Sequence, residues 1–251
     1  MTTLGPSRAP NIYRLRREGA FTDNARTDES FTNTLPNHVT QVTSRGAAGD
    51  PGHGYTLNSD PEPGQTIHSV KGSYVASVFD VVHDHGLSTG LYAGKSKFSI
   101  FDTSYETTTG APDTVGSDDG RGKIDRVRIH RAVLGSMGLV RWYVADMKAR
   151  PLNYTLLHLA EPDHAGHGDD WDLRVGSRYM TVVAAVDSMM GRILDLVEGS
   201  DQLKGNTLAI LTPAHGGTTS AGHGDATKPT NYKIPFYVWD LALRGGRTCR
   251  S

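Results

Sequence analysis

The sequence predicts an α/β fold in which a mostly parallel central sheet carries helices on both faces. Two short apolar runs, residues 154–159 and 207–212, read as strands buried on both sides. Between them Tyr179, Val182, Val183, Val186, Met190, Ile193, Leu194 and Val197 mark one face of a long helix from Ser177 to Val197. Strand, helix and strand in that order make a crossover unit, and a further strand from Ile234 to Trp239 extends the pattern.

The remaining elements follow in order along the chain. Residues 10–19 read as a short helix, with Pro10 near its start and Gly19 just past its end. Ile67, Val70, Tyr74, Val78 and Val81 recur at helical spacing before Gly86, a good helix stop, and a strand is expected from Ser88 to Ala93. The Asp-, Gly-, Thr- and Ser-rich stretch over about residues 101–124 reads as an excursion across the surface. Residues 127–149 read as mainly helical. With 251 residues the chain is long enough for one large domain with its own core, and a single domain over 1–251 is expected.

Composition narrows the classes of function. The 26 Lys and Arg residues balance 27 Asp and Glu, so no overall field attracts a nucleic acid polymer or an anionic membrane, and an anionic substrate needs a local site. The only cysteine, Cys249, leaves no disulfide framework and no cysteine-based zinc site. Any metal must therefore be bound by histidine and carboxylate. No stretch reaches the roughly 18 apolar residues of a membrane span, and Met1-Thr-Thr-Leu-Gly-Pro6 lacks the basic and apolar regions of a secretory signal. A soluble protein is expected from this, with its compartment open.

Candidate chemistry collects after the expected strands, where open sheets of this kind bind ligands. Lys95 and Lys97 follow the strand at Ser88, Asp163 and His167 the strand at Tyr154, and His215 the strand at Thr207. Asp163 and His167 stand four apart in what reads as a tight turn, a spacing that suits either one shared ion or a solvated polar loop. His223, in Gly222-His223-Gly224-Asp225, adds a third imidazole on a flexible turn. Thr32 and Thr34 lie in a hydroxyl-rich turn before an expected helix, where a threonine serves as N-cap or as nucleophile. Asn58 can donate its amide to a phosphoryl oxygen or simply belong to a turn.

These segments together resemble the type I phosphodiesterase/nucleotide pyrophosphatase family of the alkaline phosphatase superfamily. The resemblance rests on Thr34-Leu-Pro-Asn-His38, His53-Gly54 with Asn58, Gly90-Leu-Tyr-Ala-Gly-Lys95, Glu161-Pro-Asp163 with His167, and Thr212-Pro-Ala-His-Gly-Gly217, all in order. It implies an alkaline phosphatase-like fold and a metal-assisted hydrolase of phosphate esters. By resemblance Thr34 is the nucleophile that forms a phospho-enzyme and Asn58 contacts the phosphoryl oxygen. Asp163, His167 and His223 would hold one zinc, His215 would belong to a second site, and Lys95 and Lys97 would add charge near the substrate. The expected ligand is a small phosphate ester or related anionic ester.

The sequence departs from the family pattern at two places. Ala214 stands where the family has the aspartate of Asp-His-Gly. The family's first strand, ending in Asp-Gly, has no counterpart in Met1 to Pro10. The expectation is therefore at most one tightly bound zinc. A degenerate relative that binds an anionic ligand without turnover, and a hydrolase shifted to carboxylic esters, are the alternatives.

Overall fold

The computed structural model describes residues 5–113, 116–118, 121–130, 135–218, 222–240 and 247–248; Cys249 and most of the tail after Asp240 lie outside the described residues. In chain order the elements are α1 (Pro10–Glu18), β1 (Ala20–Arg26), α2 (Thr34–Thr43), α3 (Ile67–Lys71), α4 (Val78–Asp84), β2 (Thr89–Ala93), α5 (Ser99–Tyr105), β3 (Arg126–Ile129), α6 (Gly135–Ala149), β4 (Tyr154–His158), α7 (Glu161–Asp169), α8 (Arg178–Glu198), β5 (Ala209–Leu211), α9 (Pro229–Tyr232), β6 (Lys233–Trp239) and β7 (Arg247–Thr248). They group into two compact units. One comprises Met1–Thr32, Val140–Pro151 and Glu161–Ser251, and the other Asn33–Leu139 and Leu152–Ala160. Among the described residues no helix is long and apolar enough to cross a membrane.

The unit built from 33–139 and 152–160 contains the parallel sheet that the sequence predicts, in the order β3-β2-β4. All five residues of β2 are buried, as expected of a central parallel strand. Leu35, Val39 and Val42 of α2 pack with Phe79, Leu91, Phe98 and Phe101 into one apolar cluster. The helix expected from Ile67 to Val82 is two helices. Gly72, at φ 78°, ends α3, and Ser77 opens α4 with a capping box shared with Asp80. The start of the predicted 127–149 helix is instead the edge strand β3, whose polar Arg126 and Arg128 masked its alternation.

The excursion is more structured than its composition suggests. Residues 99–105 are helical, and Lys123 is 1% exposed, its ammonium 3.1 Å from Asp118 and 3.7 Å from the buried Asp113. A buried lysine requires such partners, since removing its charge from water costs several kcal/mol in rough terms. The loop is thus pinned by an ion pair rather than draped on the surface.

The other unit holds a sheet in the order β5-β6-β1-β7. Here the parallel expectation fails for most pairs: β1 and β5 both run antiparallel to β6, and only β1 and β7 are parallel. The reason is β1, whose sequence Ala-Phe-Thr-Asp-Asn-Ala-Arg carries little hydrophobic signal, yet pairs from Ala20↔Val238 to Arg26↔Lys233. Gly19 permits this pairing, because a Cβ there would lie 2.1 Å from the Val238 carbonyl oxygen. β4 and β5 belong to different sheets, so the predicted crossover unit is not formed.

The long helix α8 follows the sequence reading closely, starting after a Ser177 N-cap that accepts from Met180 N–H. Its buried Asp187 accepts from Ile12 N–H and from Asn11 Nδ2, both at 2.8 Å. These bonds supply the cap that Ala9 cannot give to α1. Gly191 leaves room for the same asparagine.

Candidate metal centre and nucleophile

Asp163 and His167 sit on α7, not in the tight turn that the sequence suggested, and their i,i+4 spacing places both on one helix face. From Asp163 Oδ1 to the Nε2 atoms of His167, His215 and His223 the distances are 3.6, 3.5 and 4.0 Å. His223 Nε2 is 3.2 Å from His167 Nε2. Asp163 of α7, His215 in the turn after β5 and His223 in the turn before α9 offer ligand atoms that all lie within 4.8 Å of one another, and His167 adjoins Asp163 and His223. His215 joins this cluster, its ring stacked on that of His223.

Backbone carbonyls fix the tautomers of two of these rings. His215 Nδ1 donates to the Gly216 carbonyl at 2.8 Å, and His223 Nδ1 donates to the Thr32 carbonyl. Each Nε2 is therefore left with its lone pair turned toward Asp163. The Thr32 hydroxyl donates in turn to the His223 carbonyl, so these residues clasp each other through two bonds. The N-cap of α2 is Asn33, and Thr32 plays no capping part.

The turn after β5 is held from several sides. Thr27 donates its hydroxyl to the Ala214 carbonyl at 2.7 Å, and Gly216 N–H donates to the Asn231 carbonyl at 2.7 Å. Asn231 also donates Nδ2 to the Asp225 carbonyl at 2.9 Å, linking the turns of His215 and His223. A Cβ at Gly216 would lie 1.9 Å from the Thr230 carbonyl oxygen, and one at Gly217 would lie 2.3 Å from Trp171 Cε2. The glycine pair after His215 is thus a steric requirement. Burial first, and the Asp163 charge second, push the Tyr179 phenol above its usual range.

Thr34, Asn58, Lys95 and Lys97 lie in the other unit. Thr34 is the first residue of α2 and is 4% exposed. Its hydroxyl makes no hydrogen bond among the described residues. Asn33 makes no side-chain cap; instead Asn58 Oδ1 accepts from Leu35 N–H at 3.0 Å. Lys97 Nζ donates to the same Oδ1 at 2.8 Å and to the Asn58 carbonyl at 3.0 Å. The Asn58 side chain is exposed, and its amide nitrogen, unlike the oxygen, is a donor. Lys95 precedes the short turn of helix at Ser96–Phe98. His38, which donates Nδ1 to the Thr34 carbonyl at 2.7 Å, lies edge-on to Phe98 and His158.

The family profile described as type I phosphodiesterase / nucleotide pyrophosphatase matches residues 1–232. The chain belongs to that family. No curated protein matches it. Among solved structures, murine ectonucleotide pyrophosphatase / phosphodiesterase 5, in an inactive form in complex with AMP, shares 19% identity at a TM-score of 0.54 over 83% of this chain and 52% of that one. An alkaline phosphatase superfamily protein from Vibrio parahaemolyticus aligns at 15% identity and TM-score 0.60 over 97% of this chain and 57% of that one. The phosphonate monoester hydrolase of Silicibacter pomeroyi aligns at 12% identity and TM-score 0.63 over 97% and 65%. This family member therefore has the alkaline phosphatase-type fold and spans about half the length of the murine relative.

Sequence reasoning missed Thr27, Thr32, Trp171 and Asn231 as supports of the cluster. Thr32 and Asn231 act in part through main-chain carbonyls, which any residue carries, so side-chain type gave no signal there. Trp171 was detectable only through the small residues at Gly166 and Gly217 that make room for it.

Proposed function

We propose that the chain hydrolyses phosphate esters, with Thr34 as the attacking hydroxyl and one zinc ion held by Asp163, His167, His215 and His223. The observation that carries this reading is the convergence of three imidazole Nε2 atoms on Asp163 Oδ1, with His215 and His223 oriented by carbonyls. Ligands of a tetrahedral zinc stand roughly 3.3–3.6 Å apart when their bonds are about 2.0–2.2 Å long. The 3.2, 3.5 and 3.6 Å separations fit that spacing, and 4.0 Å lies just beyond it. The donor set also fits in kind, being one carboxylate and neutral imidazoles. When bound, the ion supplies positive charge that polarises a phosphoryl oxygen and favours the ionised form of a hydroxyl.

The remaining chemistry belongs to the chain's own residues. Thr34 Oγ attacks phosphorus, and the Oγ–P bond forms as the bond from phosphorus to the leaving oxygen breaks. The hydroxyl proton goes to solvent and the leaving alkoxide takes one up. Water then attacks the phosphothreonine, releasing the phosphoryl product and restoring the hydroxyl. The N-terminus of α2 offers the positive end of its dipole to the phosphoryl charge. Asn58 Nδ2 donates to a non-bridging oxygen, while Lys97 holds the amide in orientation and, with Lys95, adds charge. AMP in the murine relative supports a small phosphate ester as the ligand.

Ala214 favours a second reading, binding of the same anion without turnover, since one carboxylate of the family pattern is missing there. Hydrolysis of bis(p-nitrophenyl) phosphate by the purified chain, its loss with EDTA and its return with zinc decide between them. Trapping of phosphate on Thr34 by acid quench and mass spectrometry would support the first reading. Binding of AMP with no hydrolysis of any phosphate ester would overturn it in favour of the second.

A further inference from the structure

Asp170 and Trp171 are consecutive non-glycine residues with left-handed backbone, at φ 53° and 50°. That region is disfavoured for any side chain and is a genuine outlier for one as bulky as indole. Such a conformation persists only where the surroundings over-determine it. Here they do so on both sides of the ring. A Cβ on Gly166 of α7 would lie 2.2 Å from Trp171 Cε2, and one on Gly217, two residues after His215, would lie 2.3 Å from the same atom. The indole is thus held between two glycines from separate segments, each carrying a histidine of the cluster one or two residues away.

The ring also meets the cluster directly. It lies edge-on to His167 with centroids 5.1 Å apart and to His223 with centroids 6.1 Å apart. Trp171 also lines an open cavity of about 600 Å³ with Asp170, Leu173 and Arg174. His215 and His223 have carbonyls to orient them, whereas His167 has its contacts with Asp163, His223 and Trp171. We infer that Trp171 is a positioning residue for the metal centre: it fixes the His167 ring. The strained turn is what brings the indole to this place.

The inference rests on the metal reading of Asp163, His167, His215 and His223, and its test separates the two. Zinc affinity is measured by calorimetry for the wild type, Trp171→Ala, Trp171→Phe and Gly217→Ala, beside melting temperatures of the metal-free proteins. Removing a residue that orients a ligand typically weakens metal binding about 10- to 100-fold. Trp171→Ala is expected to show that loss, Trp171→Phe to recover part of it, and Gly217→Ala to match Trp171→Ala. Cobalt quenching of tryptophan emission should disappear in Trp171→Phe, although Trp142 and Trp239 remain. Equal zinc affinity in wild type and Trp171→Ala, or unchanged cobalt quenching in Trp171→Phe, would overturn the inference alone. A wild type that binds no divalent cation would overturn the metal reading and this inference with it. Should Trp171→Ala not fold, Trp171→Phe and the quenching signal still decide.

Discussion

The imidazole of His215 lies stacked on that of His223, with centroids 3.7 Å apart and planes 20° from parallel. Both rings approach one oxygen of Asp163, at 3.5 and 4.0 Å. On the proposed reading both rings serve one ion. His215→Ala and His223→Ala should therefore each abolish the same single binding event, about one zinc per chain by calorimetry and elemental analysis. Two ions per chain, with His215→Ala losing one and keeping the other at full affinity, would contradict the single centre.

Thr34 and Thr32 should separate cleanly in their effects. Thr34→Ala removes the proposed attacking atom and is expected to end turnover while leaving zinc affinity within about twofold of wild type. Thr32→Ala breaks the hydroxyl bond to the His223 carbonyl. It should weaken zinc binding and cost about 1 kcal/mol of stability, and Thr32→Ser should restore both. Zinc titrations and melting curves of the three variants provide the check.

Asn58 has an oxygen with a structural task and a nitrogen with a proposed catalytic one. Asn58→Asp keeps an acceptor for Leu35 N–H and Lys97 Nζ, so the melting temperature should hold. The donor is lost, and kcat should fall on the order of 10²- to 10³-fold, as for other oxyanion donors. A variant that is folded and fully active would remove Asn58 from the reaction.

Acid stability should depend on His68. Burial lowers its pKa below the usual imidazole range, against a smaller opposing effect of the Ser104 carbonyl and Asp80. Its Nε2 donates to the Ser104 carbonyl at 2.9 Å and its Nδ1 accepts from Val75 N–H at 3.0 Å, an arrangement only the neutral ring can make. The unfolded chain thus binds a proton that the folded one resists. Stability from this residue is fully present above the ordinary imidazole pKa of about 6.5 and falls as pH drops below it. His68→Gln should melt lower than wild type at pH 7.5, and the gap should narrow toward pH 5. A gap that stays constant would mean that His68 does not titrate on unfolding.

The parts of the fold legible in the sequence are those where burial is written in side-chain type. The apolar run at Tyr154 and the periodic face of α8 announce themselves, and Ser177 and Gly86 punctuate as expected. β1 does not, because Thr22, Ala25 and Arg26 take their place from pairing with β6, a partner more than 200 residues away, with an irregularity between Thr22 and Ala25. The direction of that pairing set the second sheet antiparallel, which no local pattern encodes. The site followed the same rule. Asp163, His167, His215 and His223 stood out by type and spacing, but their sharing of one oxygen did not. That arrangement depends on carbonyls of Thr32 and Gly216 and on an indole wedged between glycines.

The clasp between Thr32 and His223 joins residues 191 apart in sequence, and β1 pairs with β6 across a similar distance. The unit formed by 33–139 and 152–160 is nearly continuous along the chain, whereas the unit with the histidine cluster is assembled from its two ends and a piece of its middle. During synthesis the first can begin to fold while the ribosome is still at work. The second must keep the segment of β1 unpaired until residues beyond Trp239 have emerged, a wait on the order of 10 s or more at about 5–20 residues per second. Closing so long a loop is slow and leaves a strand edge open to wrong partners meanwhile. The order in which the chain leaves the ribosome therefore makes the unit that carries the histidine cluster the late, vulnerable one.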